Sequence, residues 1–111
     1  MKVLMLKSKI HMATITNRVK YYDGSITIDK DIAKMAGLRE YEKVLVADVN
    51  TGNRFETYVI YGSNREFCIN GAAANLVRVG DRIIVMAFGL YDSDEVQPPI
   101  ILRMNEKNEV I

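Results

Sequence analysis

The segment 43–62, KVLVADVNTGNRFETYVIYG, constrains the fold more than any other part of the chain. Apolar and polar residues alternate on both sides of Asn50-Thr51-Gly52-Asn53, whose composition is typical of a tight turn. Alternation with a period of two is typical of strands that bury one face. The segment therefore predicts an antiparallel hairpin and indicates a mainly β fold.

The first sixteen residues also predict a strand, because apolar and β-branched positions alternate there in part. The alternation assigns these side chains to two faces: Ile10, Met12 and Thr14 to one, and His11, Ala13 and Ile15 to the other.

The segment SITID predicts a second strand, with Ile26 and Ile28 on one face. Asp29 stands at an N-cap position before KDIAKMAG, and Gly37 suits the end of a helix of about two turns. The apolar positions at helical spacing are Ile32, Met35 and Ala36.

The rest of the chain consists of short segments with frequent turns. FCING and IILRM predict strands, AAANLV predicts a helical turn, and VGDRIIVMAF predicts a turn that leads into a buried strand. Many short strands with one or two short helices favour a small β-barrel, built as one domain of 111 residues.

Composition argues against several classes of protein. Fifteen basic and fourteen acidic residues nearly cancel, whereas dedicated nucleic-acid binders carry a basic excess. No apolar run reaches the ~20 residues of a membrane span, and Lys7, Lys9 and His11 interrupt any secretory leader. One cysteine and one histidine predict neither a disulfide framework nor a metal site. We expect a cytoplasmic protein without membrane or nucleic-acid partners.

Two features leave alternatives open when they are read from residue types alone. The Gly24-Ser25 bond is an ordinary turn or a bond that the protein breaks in itself. Arg54 and Tyr58 share a strand face with Glu56, which is either a solvated surface or an anion clamp beside a phenol. Cys68 is expected to be a small buried hydrophobic residue.

Four motifs together resemble one family, the pyruvoyl-dependent aspartate 1-decarboxylases. They are MLKSKIHMATIT (5–16), YYDGSITID (21–29), TGNRFETYVI (51–60) and INGAAANLVRVGD (69–81). The resemblance covers almost the whole chain with nearly constant spacing. Only the segment after Tyr61 is shorter than is typical of the family, which places Asn70 slightly early.

The resemblance implies a six-stranded double-psi β-barrel with short helices. It also implies a homotetramer with active sites at subunit interfaces, and it leaves two alternatives open, unaided cleavage and cleavage that needs a maturation partner. Ser25 Oγ would attack the carbonyl of Gly24, and elimination and loss of ammonia would leave a pyruvoyl group at position 25. The products would be a 1–24 chain and a 25–111 chain. The pyruvoyl group of the larger chain would form a Schiff base with L-aspartate. Decarboxylation would then yield β-alanine for pantothenate and coenzyme A synthesis.

The resemblance also implies roles for individual residues. Thr57 assists processing and contacts substrate, Tyr58 is the proton donor, and Arg54 holds a substrate carboxylate. The remaining residues would bind substrate or support the site: Lys9, His11, Tyr22, Asn70, Gly71, Ala72 and Ala73. Glycine at position 24 is expected to tolerate a strained turn.

Strand alternation conflicts with one of these roles, because it puts Thr57 on the face opposite Arg54 and Tyr58. Either a bulge or a twist of the strand re-aims Thr57, or Thr57 reaches the processing bond from a neighbouring strand or subunit.

A second resemblance supplies the alternative function. The stretch GSITIDKDIAKMAGLREYEKVLV is similar to the swapped-hairpin barrels of bacterial DNA-binding transcriptional regulators. Asp29 stands where those proteins often carry proline, and the near-zero net charge disfavours phosphate binding as the main role.

Overall fold

A computed structural model describes all residues, 1–111, and shows a mainly β chain. Its strands are β1 (Lys2–Thr14), β2 (Asn17–Val19), β3 (Ser25–Asp29), β4 (Lys43–Asp48), β5 (Arg54–Gly62), β6 (Phe67–Asn70), β7 (Arg82–Asp92) and β8 (Ile100–Arg103). A short helix α1 (Lys30–Met35) follows β3, and a 3-10 helix (Gly71–Leu76) follows β6. Neither helix has the length and apolar character needed to cross a membrane.

The strands lie in the order β2-β6-β3-β5-β4-β7-β1-β8, and the sheet closes on itself. β2 is at one end of this order, and β1, which precedes it in the chain, is next to last at the other end, beside β8. The short link between β1 and β2 therefore joins the two sides of the sheet. Between them, the Ile15 N–H donates to Asp81 O beside β7, and the Thr16 N–H donates to Phe67 O in β6. With β1 and β2 taken as one interrupted strand, the closed part has six strands, as the family resemblance implies.

The core fills the inside of this barrel. Alternate residues of the strands point inward, so β1 and β3 to β7 contribute apolar side chains to one cluster, and Leu102 of β8 packs against it. The three residues of β2 are exposed. The largest fully buried members are Phe67, Ile10, Ile15, Ile26, Ile28, Ile69, Ile83, Val44, Val46, Val59, Val77 and Val85. Both isoleucines of SITID belong to this set, which confirms the predicted inner face of β3.

The hairpin and the helix are confirmed with their turn and capping residues. β4 and β5 pair antiparallel, and Gly52 adopts a φ of 80° in the turn between them. Asp29 accepts hydrogen bonds from the N–H groups of Asp31 and Ile32, as an N-cap residue does. Gly37, with a φ of 73°, follows the C-cap. Met35 is an exception, because its side chain is exposed rather than packed on the core.

The predicted alternation in β1 is wrong after His11. Met12 forms a β-bulge there, with a φ of 68°, and the pairing with β7 shifts between His11 and Ala13. The bulge changes the face on which the next residues lie, so Ala13 and Ile15 join Ile10 in the core. The Arg82 guanidinium holds the bulge by donating to Met12 O from Nη2 at 2.6 Å and from Nε at 3.1 Å.

Candidate active site

Ser25 is the first residue of β3 and is 1% exposed. It lies directly opposite Asn70 in the antiparallel pair of β3 and β6. Asn70 Nδ2 donates to Ser25 Oγ at 2.8 Å and to Thr27 Oγ1 at 2.9 Å. Because Ile26 and Ile28 point into the core, Ser25 and Thr27 lie on the outer face of the barrel wall. A polar network therefore surrounds the serine hydroxyl on that face.

The backbone at Gly71 lies against the peptide that precedes Ser25. Gly71 has a φ of 83°, and a Cβ there would lie 2.8 Å from Gly24 Cα and 3.1 Å from both Gly24 N and Tyr22 O. Only a residue without a side chain permits this approach. Gly71 therefore lies directly against residue 24, and Ala72 and Ala73 follow it in the 3-10 helix.

The bond at Gly24-Ser25 does not belong to a simple hairpin. β2 and β3, which flank it, are not paired with each other, because β6 lies between them. Neither the backbone angle nor the space at Gly24 requires a glycine, and the expected strained turn stays a prediction. The φ of Gly24 is not in the left-handed region, and a Cβ there would meet nothing within 4 Å.

Arg54, Glu56 and Tyr58 share the outer face of β5, as predicted. The pairing of β5 with β4 runs without a shift from Lys43↔Tyr58 to Ala47↔Arg54. No bulge therefore re-aims Thr57, which stays on the inner face opposite the buried Val44. Of the two explanations for Thr57 drawn from the sequence, the bulge is excluded.

Tyr58 lies close to Ser25 in the sheet. β3 and β5 pair in parallel, with Ile26 opposite Val59. Ser25 comes just before Ile26 and Tyr58 just before Val59, so the two residues lie side by side on adjacent strands. Tyr58 is 36% exposed, and its ring centroid lies 6.4 Å from that of Tyr41. The phenol is thus available at the surface beside the strand that begins with the serine, and the Tyr22 side chain is also exposed.

Lys9 and His11 lie elsewhere on the barrel surface. Cross-strand pairing links Arg54 to Ala47, Ala47 to Ile84, and Ile84 to His11. At ~4.8 Å per strand, three steps place Arg54 and His11 about 14 Å apart at the backbone. β7, β4 and β5 separate β1 from β3 along the sheet. The site residues of one chain therefore form two groups, one at Ser25 and one at Lys9 and His11.

The second group is strongly cationic. Burial lowers the pKa of His11, and the charges of Lys9, Arg103 and Arg82 lower it further. His11 Nδ1 is buried without a hydrogen-bond partner in the chain. The arrangement favours a neutral imidazole surrounded by cations, which suits the binding of a carboxylate.

Sequence reasoning missed several neighbours of these residues. Thr27 and Cys68 contact Asn70, and Arg82 and Arg103 lie near His11. Alternation could have put Thr27 on the face of Ser25, and Cys68 on the face of Asn70. The register that brings these two faces together has no local signal in the sequence.

A small closed β-barrel with a buried serine behind a glycine, a phenol beside it and a separate cationic group defines an enzyme rather than a structural module. The aspartate decarboxylase family matches the chain over residues 1–111. Three relatives are named aspartate 1-decarboxylase. The protein of Thermosipho africanus is 54% identical over 100% of this chain and 94% of its own length. That of Fervidobacterium nodosum is 53% identical over 99% and 97%, and that of Helicobacter pylori is 53% identical over 96% and 95%.

The chain belongs to the aspartate decarboxylase family. This membership confirms the predicted family and the predicted enzyme class, a carboxy-lyase that decarboxylates aspartate in pantothenate synthesis. The match also spans the residues that suggested a DNA-binding regulator, so family membership accounts for them.

Proposed function

We propose that this chain converts L-aspartate to β-alanine and CO2 with a pyruvoyl group that it makes from its own Ser25. The observation that carries the proposal is the contact set at that serine: Asn70 Nδ2 on Ser25 Oγ at 2.8 Å, and Gly71 packed against Gly24. β-Alanine is a precursor of pantothenate and so of coenzyme A. The predicted cytoplasmic location stays a prediction.

Self-cleavage begins when Ser25 Oγ attacks the Gly24 carbonyl carbon. The new C–O bond replaces the Gly24–Ser25 C–N bond, and the hydroxyl proton passes to the freed nitrogen. β-Elimination then releases the 1–24 chain as a carboxylic acid, and water displaces ammonia from position 25 of the 25–111 chain. Thr57 lies on the inner face of the barrel, so in this proposal it acts on the bond from a second copy or after local rearrangement.

The residues around position 25 fit a small carbonyl group. The position is 1% exposed, Asn70 supplies an amide donor, and Gly71 leaves room for the backbone. When present, a pyruvoyl group supplies an electron-withdrawing ketone that accepts the electron pair left by loss of CO2. Asn70 would orient that ketone, and the phenol of Tyr58 would deliver the proton that replaces the lost carboxylate.

Substrate carboxylates would be held by cations on the outer face of the barrel. Arg54 offers a planar pair of N–H donors, and Lys9 and His11 form the second cationic group. Tyr22, Ala72 and Ala73 would line the site near Gly71.

Two copies of the chain are needed to complete this site. Lys9 and His11 pair with residues of β7 and β8, whereas Ser25 pairs with Asn70 of β6, so the two groups are not neighbours in the sheet of one chain. The β1–β7 pair that carries Lys9 also exposes Leu4, Phe88 and Leu90, with exposed fractions of 67%, 41% and 69%. Such an apolar patch favours burial against another subunit. We therefore propose a homotetramer with active sites between subunits. The maturation partner stays a prediction.

Intact mass spectrometry of the denatured protein, combined with an aspartate decarboxylation assay, tests the proposal. We expect two species, 1–24 and 25–111, with the larger one lighter by one ammonia than a chain that begins with serine. A Ser25→Ala variant should fold, remain one chain and lack activity. If Ser25→Ala still splits after residue 24, or the processed wild-type protein leaves aspartate unchanged, the proposal fails. A wild-type chain that stays whole after prolonged warming would require a maturation partner.

A further inference from the structure

On the basis of the self-cleavage proposed above, we propose that Cys68 and Thr27 are positioning residues. Together they fix the side-chain amide of Asn70 so that its NH2 group faces Ser25 Oγ.

All polar atoms of the Asn70 side chain have partners. Nδ2 donates to Ser25 Oγ at 2.8 Å and to Thr27 Oγ1 at 2.9 Å, and Oδ1 accepts from Cys68 Sγ at 3.3 Å. The four residues form two facing pairs in the sheet, Ser25↔Asn70 and Thr27↔Cys68. Asn70 and Cys68 are each 3% exposed, so water cannot easily replace these bonds.

The orientation of this amide decides what happens to the serine proton. In the observed orientation Ser25 Oγ accepts a hydrogen bond, so its O–H remains free to lose the proton as Oγ attacks Gly24. If the amide turned by half a rotation, Oδ1 would face Ser25 and Oγ would lose this donor. The negative charge that develops on Oγ as its proton leaves would then have no Asn70 N–H group to stabilise it.

Cys68 favours the observed orientation because a thiol can donate to Oδ1. Burial raises the pKa of the Cys68 thiol, and the charge of Glu66 raises it further, so the group keeps its proton at neutral pH. A thiolate could only accept a hydrogen bond, and it would favour the turned amide instead. Cys68 therefore acts through its S–H group in addition to filling space.

Thr27 supplies the acceptor for the second amide hydrogen. Without its hydroxyl, one N–H of Asn70 would be buried and unpaired, which is unfavourable. The Asn70 amide would then lower its free energy by moving away from this position or by turning, because either change would let the N–H find another acceptor. Thr27 and Cys68 thus act from opposite sides on the same side chain.

Cleavage rates of the full-length precursor, followed by intact mass spectrometry, test these roles. Cys68→Ala and Thr27→Val should each slow cleavage about five- to tenfold, which corresponds to one hydrogen bond. Cys68→Ser and Thr27→Ser keep the hydrogen-bonding group and should restore most of the rate. Melting temperatures of all four variants show whether each one folds.

An Asn70→Ala background separates positioning from a general structural effect. If Cys68 and Thr27 act through Asn70, their substitution should cause no further loss of rate in that background. Losses of equal size in both backgrounds, or no rescue by serine, would overturn the proposal. If the wild-type chain cleaves and the Cys68 and Thr27 variants cleave at the same rate, the positioning role is overturned. The proposed function would remain intact in that case.

A measurement on the amide itself is independent of cleavage. The side-chain N–H resonances of Asn70 in the wild-type chain should exchange slowly with solvent, and Cys68→Ala and Thr27→Val should each speed that exchange. Unchanged exchange in both variants would overturn the positioning role even if the wild-type chain did not cleave. Failure of the wild-type chain to cleave under any condition would overturn the proposed function, and the role in cleavage with it.

Discussion

Gly71 and Gly24 are in backbone contact: a Cβ built on Gly71 would lie 2.8 Å from Gly24 Cα. Real Cβ atoms do not approach backbone atoms so closely, so the contact depends on the absence of a side chain at position 71. Since Gly71 directly follows Asn70, one short segment both contacts the Ser25 hydroxyl and packs against Gly24, whose carbonyl is the target in the proposed self-cleavage.

Gly71→Ala should therefore slow self-cleavage strongly and also destabilise the fold. The methyl group would displace Gly24, and the φ of 83° adds about 1–3 kcal/mol of backbone strain for a residue with a side chain. Gly52→Ala is the matched control, because Gly52 has a φ of 80° but nothing within 4 Å of its Cβ position. Cleavage half-times and melting temperatures distinguish the two effects. Equal cleavage rates in both variants would show that the contact with Gly24 is unimportant.

Arg54→Lys should lose far more activity than conservation of charge suggests. An ammonium group cannot reproduce the paired N–H donors of a guanidinium, so we expect kcat/KM for aspartate to fall about 10- to 100-fold. The loss should lie mainly in KM if Arg54 binds substrate and transition state equally. Arg39→Lys, at an exposed position between α1 and β4, is the control for a general effect of the substitution. Near-normal turnover in Arg54→Lys would rule out the clamp role.

Local sequence patterns predicted those parts of the fold that depend on neighbouring residues. The β4–β5 hairpin followed from alternation and turn chemistry, and the start of α1 followed from Asp29 as N-cap. The same alternation correctly put Arg54 and Tyr58 on one face and Thr57 on the other.

Features that depend on long-range pairing were not predictable in this way. The bulge at Met12 is stabilised by Arg82, which lies 70 positions away in the chain. β6 inserts between β2 and β3, so the turn at Gly24 could not be assigned from its own residues. Cys68 is buried as expected, but its hydrogen bond to Asn70 emerges only when the strand register is known.

The pH dependence of stability should report on His11. Burial and the charges of Lys9, Arg103 and Arg82 lower its pKa in the folded state below the ordinary value of 6.5. Between the lowered pKa and 6.5 the unfolded chain binds more protons, so the free energy of unfolding should rise with pH there and level off above. His11→Gln should remove this part of the slope. Thermal melts of both proteins from mildly acidic to neutral pH test this, and identical slopes would contradict it.

Asp48→Asn should stabilise the protein at neutral pH. Asp48 is 1% exposed, and burial raises its pKa above the ordinary value of 3.8, with the neighbouring Asp81 carboxyl as the next cause. A raised pKa in the folded state means that stability falls as pH rises from 3.8 through that pKa, because the folded chain must then carry a buried charge.

In the Asp48→Asn variant, asparagine stays neutral and keeps an oxygen for the N–H groups of Asn50 and Thr51. We therefore expect the free energy of unfolding to increase by an amount on the order of 1 kcal/mol. The gain should shrink as the pH is lowered toward 3.8, where Asp48 of the wild-type protein is itself protonated. Chemical denaturation at several pH values measures both quantities, and a variant that is less stable at neutral pH would show that the charge of Asp48 is needed for the fold.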